Sequence, residues 1–448
     1  MIDRSVLASR HSEELGLFAS RHPASAELAR QAGENLVSGV PMPWMTRWPG
    51  THPVFFSEAH GGRFRDVDGL EYVDFCLGDT GAMTGHGLSQ VAEALHHRAT
   101  RGITTMLPND DSIWVAGELS RRFGLPKWQF AMTATDANRF VLRFARALTG
   151  RPRVAVMDWC YHGTVDETLA VLDAGGRVIS RPGAVGPAFD PALTTRVVPF
   201  NDIGALDAAL SHGDVACLLM EPALTNIGIV LPDEGYMEAV RDVTRRHGVL
   251  LVIDETHTIC AGPGGCTREW GLDPDFFVIG KPIAGGVPAA VYGMTAEVAG
   301  RLETLMSGHS VDVSGVGGTL TGNALAMSSI RATLSTTLRS EDFDRMIPLA
   351  EAWTQGVRAG YEAHGLPWHV QRLGCRAEYW FCPPPRNGAE AAAAGDADLE
   401  AYMHLFALNR GILLTPFHNM ALFSPFHTTA DVELHTSVFG AAVDSLVG

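Results

Sequence analysis

The sequence predicts an α/β protein: a mostly parallel central sheet flanked by helices, accompanied by a smaller α+β domain. Three observations carry that expectation. First, unbroken apolar runs such as RVAVMDW (153–159), VACLLME (215–221), VLLVIDE (249–255) and DFFVIGK (275–281) alternate with helical stretches. That is the pattern of parallel strands buried on both faces. Second, 448 residues exceed a single domain, since roughly 100–200 residues per domain is usual. Third, 46% hydrophobic and 19% charged residues exclude a disordered or fibrous chain.

Taken in order, residues 1–39 carry two helical stretches, and Pro41, Pro43, Pro49 and Pro53 then impose an extended segment. PVFF (53–56), RFRDVDG (63–69) and EYVDF (71–75) form a small meander, turned by its Asp-Gly pair. LSQVAEALHHRATRG (88–102) and SIWVAGELSRRFG (112–124) have helical apolar spacing. KWQFAMT (127–133) reads as a strand, and ANRFVLRFARALTG (137–150) as a helix stopped by glycine. Strands follow at 153–159, 196–200, 215–221, 249–255, 275–281 and 289–295, with a helix at 236–248. Beyond Gly322 come helices at 323–337 and 341–364, a strand at 376–382, a flexible loop at 383–398, a helix at 399–410, ILLTP (412–416) and a helical tail. The expected division is 1–79 as an N-terminal segment of the small domain, 80–335 as the large domain and 336–448 as the C-terminal part of the small one.

With 34 basic against 50 acidic side chains, the formal charge of −16 argues against nucleic-acid or anionic-membrane partners. No apolar stretch reaches a membrane-spanning length, and the N-terminus lacks a basic region followed by an apolar core, so a cytoplasmic protein is expected. Seven scattered cysteines fit neither a disulfide framework nor a metal site, and no metal is expected. More telling, only two lysines, Lys127 and Lys281, occur among the 34 basic residues. In an arginine-dominated background a retained lysine points to a need for a primary amine.

Ligands of an open parallel sheet bind at the carboxyl ends of its strands. There the sequence puts Thr133-Ala134-Thr135-Asp136, Tyr161-His162-Gly163, Glu221, Asp254-Glu255 and Lys281. Lys281 ends an apolar run and reads either as an ion-pairing lysine or as an amine able to form a Schiff base with a carbonyl. Lys127 lies at the wrong end of its strand. Asp254 closes a strand too apolar for an unpartnered carboxylate, which leaves a structural ion pair or a partner for a pyridinium nitrogen. Thr133-Ala134-Thr135 opens a helix, as an N-cap or as a phosphate seat. Tyr161 reads as a core tyrosine or as a ring stacked on a flat cofactor. Gly280-Lys281 is not a Walker loop, and no G-x-G-x-x-G follows a strand, so hydride transfer on a dinucleotide is disfavoured.

Together FRDVDGLEYVDF (64–75), GH (85–86), TATDANRFVLRFARALTGR (133–151), CYHG (160–163), EPALTN (221–226), GVLLVIDET (248–256), GKPIAGGVPAAVYG (280–293) and GTLTGNALAM (318–327) resemble class III pyridoxal-phosphate aminotransferases. The likeness is strongest to the branch of glutamate-1-semialdehyde aminomutases and β-amino-acid transaminases. It implies fold type I of the PLP-dependent transferases and pyridoxal 5′-phosphate as cofactor. By the same resemblance Lys281 forms the Schiff base and shuttles the proton, and Asp254 pairs with the ring nitrogen. Ala134 and Thr135 hold the phosphate, Tyr161 stacks on the ring, and Asn226 lies near the phenolic oxygen. Thr319 reaches the cofactor of a second subunit, so a homodimer follows. Three positions depart from the family pattern. Ala134 stands where a glycine is usual, Thr256 replaces the valine that packs on the ring, and the unusual His257 reads as buried and satisfied.

The segment TPFHNMALFSPFH (415–427) has no arginine to hold a substrate carboxylate. Arg47 is the candidate for that contact, Asp79 for a substrate amine, and His418 lines the expected pocket. The expected activity is transfer of an amino group from an amino-acid or amine donor to a carbonyl acceptor, both small molecules. Intramolecular 2,1-aminomutation of the glutamate-1-semialdehyde type, epimerisation and a catalytically silent cofactor-binding protein are the alternatives.

Overall fold

The structure is a computed structural model that describes residues 2–307 and 315–447. The chain divides into two compact units, one of Met1–Leu88, Glu341–Pro384 and Ala394–Gly448, the other of Ser89–Ser340 and Pro385–Ala393.

The second unit is built on a seven-stranded sheet. Its strands lie in the order Lys127–Ala131, Ala290–Met294, Phe276–Ile279, Leu250–Asp254, Val215–Met220, Arg153–Met157 and Thr195–Val198. The three middle strands, Phe276–Ile279, Leu250–Asp254 and Val215–Met220, are buried along their whole lengths, which is why they read as unbroken apolar runs. Ala290–Met294 departs from the parallel expectation: it is antiparallel to both of its neighbours. Only the 3-10 turn Lys281–Ala284 and a short loop separate it from Phe276–Ile279. A parallel return takes a crossover of a dozen or more residues, so this connection can only double back. The helix Ala134–Thr149 covers the sheet with Ala137, Val141, Phe144 and Ala145, spaced for one helical face, and Gly150 ends it in a left-handed cap.

The segment 383–398, read as a flexible loop, contains the helix Gly388–Ala393, and Pro385–Ala393 belongs to the large unit. The reason is local. Asn201 donates to the Arg386 carbonyl at 2.9 Å, Arg386 pairs with Asp233 at 2.5 Å, and Gly388 lies so close to the backbone of Asp158 that a side chain there would collide.

The first unit draws on both ends of the sequence. The meander Phe56–His60, Arg63–Asp66 and Glu71–Asp74 gains a fourth strand, Ile412–Leu413, parallel to Glu71–Asp74. A second, antiparallel sheet comprises His369–Leu373, Arg376–Trp380 and Met420–Leu422. The N-terminal helix Arg4–Arg21 packs Phe18 against Tyr72, Leu405 and Leu408. His22 bridges the Phe18 carbonyl and the Tyr72 hydroxyl at 2.7 Å each, and Tyr72 donates to Asp66 at 2.8 Å.

Candidate active site

The carboxyl ends of the large unit's strands bring together most of the residues singled out by sequence. Asp254, last in its strand, is 4% exposed, so its charge survives only through its partners. Its Oδ2 accepts from His162 Nδ1 and Asn138 Nδ2, both at 2.9 Å, and its Oδ1 from the Thr256 N–H at 3.1 Å. Burial works against the carboxylate, yet His162, Thr256 and Asn138 outweigh it and hold the carboxyl at about 2. Burial likewise opposes charge on His162, but Cys160 and Asp254 beside it raise its proton affinity well above an ordinary histidine. The outcome is a buried ion pair with the carboxylate firmly ionised.

The other acids behave differently. Glu255 accepts from the Cys266 N–H at 3.1 Å and the Thr267 hydroxyl at 2.6 Å, and it anchors the turn from Thr258 to Thr267. Glu221 accepts from Asn226 at 3.0 Å and from the Thr225 hydroxyl, and burial raises its proton affinity. Asn226 is thereby oriented by a fully buried side chain.

Lys281 follows the strand Phe276–Ile279, which runs parallel to Leu250–Asp254 with Asp254 opposite Val278. Its backbone is left-handed, with φ +49°, a conformation that costs a non-glycine residue of order 1 kcal/mol and tends to occur at functional sites. The preceding Gly280 packs on the start of the helix Ala134–Thr149: a Cβ there would lie 3.1 Å from Ala134 Cβ and 3.2 Å from its nitrogen. Nζ of Lys281 contacts Nε2 of His257 at 2.6 Å.

Thr133 is the N-cap of that helix: its hydroxyl accepts from the Asp136 N–H at 3.1 Å and donates to the Asp136 carboxylate at 2.9 Å. Ala134 and Thr135 therefore stand in the first turn, where the helix supplies no carbonyl for their N–H groups and the dipole favours an anion. The Thr135 hydroxyl accepts from the Thr164 N–H at 3.1 Å, and Gly163, at φ +82°, presses against it with no room for a side chain. Tyr161 is half-buried, with the Arg181 guanidinium 5.9 Å from its ring centroid. Thr319 is exposed.

Three candidates lie in the other unit. Arg47 is exposed and caps the 3-10 turn Pro43–Thr46. Asp79 is half-buried with φ +51°. His418 is buried and gives Nδ1 to Glu378 at 3.1 Å.

Sequence reading missed His162 and Asn138 as the groups that keep Asp254 ionised, and His257 as the contact of Lys281. His162 stands in the strand-end CYHG motif, which was its available signal, whereas Asn138 lies one turn into the helix from Ala134 and had none.

A model described as Aminotransferase class-III matches residues 45–437. A glutamate-1-semialdehyde 2,1-aminomutase of Sorangium cellulosum is 33% identical over 93% of this chain and 95% of its own length. The crystal structure of a glutamate-1-semialdehyde-aminomutase from Pseudomonas aeruginosa PAO1 superposes with a TM-score of 0.98 at 48% identity, covering 99% of both chains. A lysine-to-alanine variant of that protein is solved in complex with PMP. An omega-transaminase from Sphaerobacter thermophilus reaches a TM-score of 0.86 at 26% identity, over 96% of this chain and 100% of its own.

Proposed function

From the premise that the chain belongs to the class III aminotransferases and uses pyridoxal 5′-phosphate, we propose that it moves an amino group between two carbons of one small substrate. On this reading it is an aminomutase of the glutamate-1-semialdehyde type. The 48% likeness to a protein of that name, over nearly the whole chain, favours this over the transfer to a separate carbonyl acceptor that the residues alone put first. The 26% likeness to an omega-transaminase keeps intermolecular transfer as the second reading.

The observation that carries the chemistry is the buried, ionised Asp254 on the strand beside the one that ends at Lys281. The donor set fits the cofactor: an anion seat at Ala134 and Thr135, a carboxylate for a protonated ring nitrogen, and an amine for an aldehyde. When bound, the cofactor supplies an electron-withdrawing ring that stabilises negative charge at a substrate carbon. Asp254 would hold the proton at the ring nitrogen. Lys281 would bind the aldehyde carbon through Nζ and, once released, carry a proton at Nζ from one carbon to another. Tyr161 and Thr256 would flank the ring, Asn226 would donate to its phenolic oxygen, and Thr319 would reach the phosphate in the partner subunit of a homodimer. Arg47 is proposed to hold a substrate carboxylate, Asp79 a substrate amine, and His418 a wall of the pocket.

The test loads the protein with pyridoxal 5′-phosphate and adds glutamate-1-semialdehyde with no amino acceptor. Turnover supports aminomutation, whereas turnover that waits for a separate keto acid supports the second reading. A Lys281→Ala variant that still attaches the cofactor covalently would sink both.

A further inference from the structure

The loop that follows Asp254 is pinned on both sides of His257. Asp254 is held by His162, Asn138 and the Thr256 N–H, and Glu255 by Thr258, Cys266 and Thr267. Gly265 leaves no room beside Glu255, since a Cβ there would lie 2.6 Å from Oε2. His257 thus leaves a fixed backbone, is 5% exposed, and meets Lys281 Nζ with Nε2 at 2.6 Å. A lysine side chain has about 2 kcal/mol of rotamer entropy, so a rigid acceptor restricts it.

The protonation at this contact follows from chemistry. An ammonium has only donors, and a protonated imidazole likewise, so a 2.6 Å approach requires that one partner be unprotonated. A primary amine is a stronger base than an imidazole, so the proton belongs to the lysine. Among the described residues, the ionisable groups at these strand ends include Asp254, Glu255, His162 and Glu221, each with hydrogen-bond partners described above.

We infer that His257 is a positioning residue for Lys281, its Nε2 accepting a hydrogen bond from the ammonium so that Nζ is fixed in place and its proton is retained there. The role rests on the reading of Lys281 in the preceding section; the contact does not. Retention matters because a proton taken from one substrate carbon must stay on Nζ until it is delivered to the next.

The experiment uses the cofactor-free protein and trace acetylation with acetic anhydride across pH 6–10, scored by peptide mass spectrometry. Lys127, exposed at the start of its strand, is the internal reference. In His257→Leu the amine loses its acceptor, so Lys281 should be labelled several-fold more, relative to Lys127, near pH 8. His257→Gln, whose Oε1 matches Nε2, should restore the parent labelling. His257→Asn, which reaches only to the Nδ1 position, should behave like Leu and replaces it if the Leu variant does not fold. Unchanged labelling in both, or failure of Gln to restore it, overturns the inference. If Lys281→Ala still attaches the cofactor covalently, the catalytic role falls, and the labelling ratio still decides the contact.

Discussion

Each unit buries a carboxylate against a histidine, yet the two arrangements have opposite meanings. In the large unit Asp254 meets His162 at 2.9 Å; in the small one Glu378 meets His418 at 3.1 Å and Arg376 at 3.2 Å. Both carboxyls are held below their ordinary range despite burial, Glu378 by the charge of His418 and then of Arg376. The difference is position. Glu378 lies mid-strand in Arg376–Trp380, and its cation is two residues away on the same face of the same strand. Asp254 lies at the carboxyl end of a parallel strand, beside the strand that ends at Lys281, where loops rather than strand neighbours decide what approaches it. A buried acid–histidine pair is therefore not a functional signature in itself; the proposed role of Asp254 rests on its place in the sheet.

The sharpest way to break this comparison is to remove each acid. Glu378→Ala breaks the ion pair with Arg376, which is fully buried, and should cost about 3–5 kcal/mol of stability. Urea unfolding should show this as a lowered midpoint, while kcat falls far less than on removal of Asp254, since Glu378 reaches the proposed pocket only through His418. Asp254→Asn should do the reverse: a modest loss of stability, but kcat down by about 10²–10³-fold, the usual size for removal of one well-placed electrostatic group. Equal effects of the two substitutions on kcat would erase the distinction. A smaller effect is expected at Gly163, whose φ of +82° and contact with Thr135 leave no space for a methyl group. Gly163→Ala should shift Thr135 and weaken cofactor affinity by about tenfold, roughly 1.4 kcal/mol, read by titrating the cofactor-free protein with pyridoxal 5′-phosphate.

The sequence made the strands of the large sheet plain because central parallel strands are apolar throughout, and it made the strand ends plain because polar residues such as Asp254 and Lys281 interrupt those runs. It concealed the direction of Ala290–Met294, which a short connection dictates, and the helix Gly388–Ala393, whose alanine-rich run sits between proline and glycine turn signals. Short edge elements such as Ala170–Leu172, Val178–Ser180 and Met420–Leu422 were not legible, since three residues give no periodicity. In the site, Lys281, Asp254, Ala134 and Thr135 were visible through motif and position. The pairing of His162 with Asp254 and of His257 with Lys281 joins residues 92 and 24 apart in sequence, and only folding reveals such contacts.

Glu400 tests the small unit's half of the comparison most finely. Burial, and then the charge of Glu378, push its carboxyl up to about 7. The raised value means that the folded protein binds a proton more tightly than the unfolded chain does. Stability should therefore be unaffected by Glu400 below about pH 4, where both states are protonated, and should decline as pH rises from the unfolded value near 4.3 to the folded value near 7. Above that window the ionised Glu400 is a constant burden, of about 1–2 kcal/mol once partial solvent access is allowed for. Glu400→Gln removes the charge and keeps the shape, so thermal unfolding at pH 8 should show a higher midpoint for the variant, with the advantage gone at pH 4. A gain that persists at pH 4 would mean the benefit comes from packing and not from the acid.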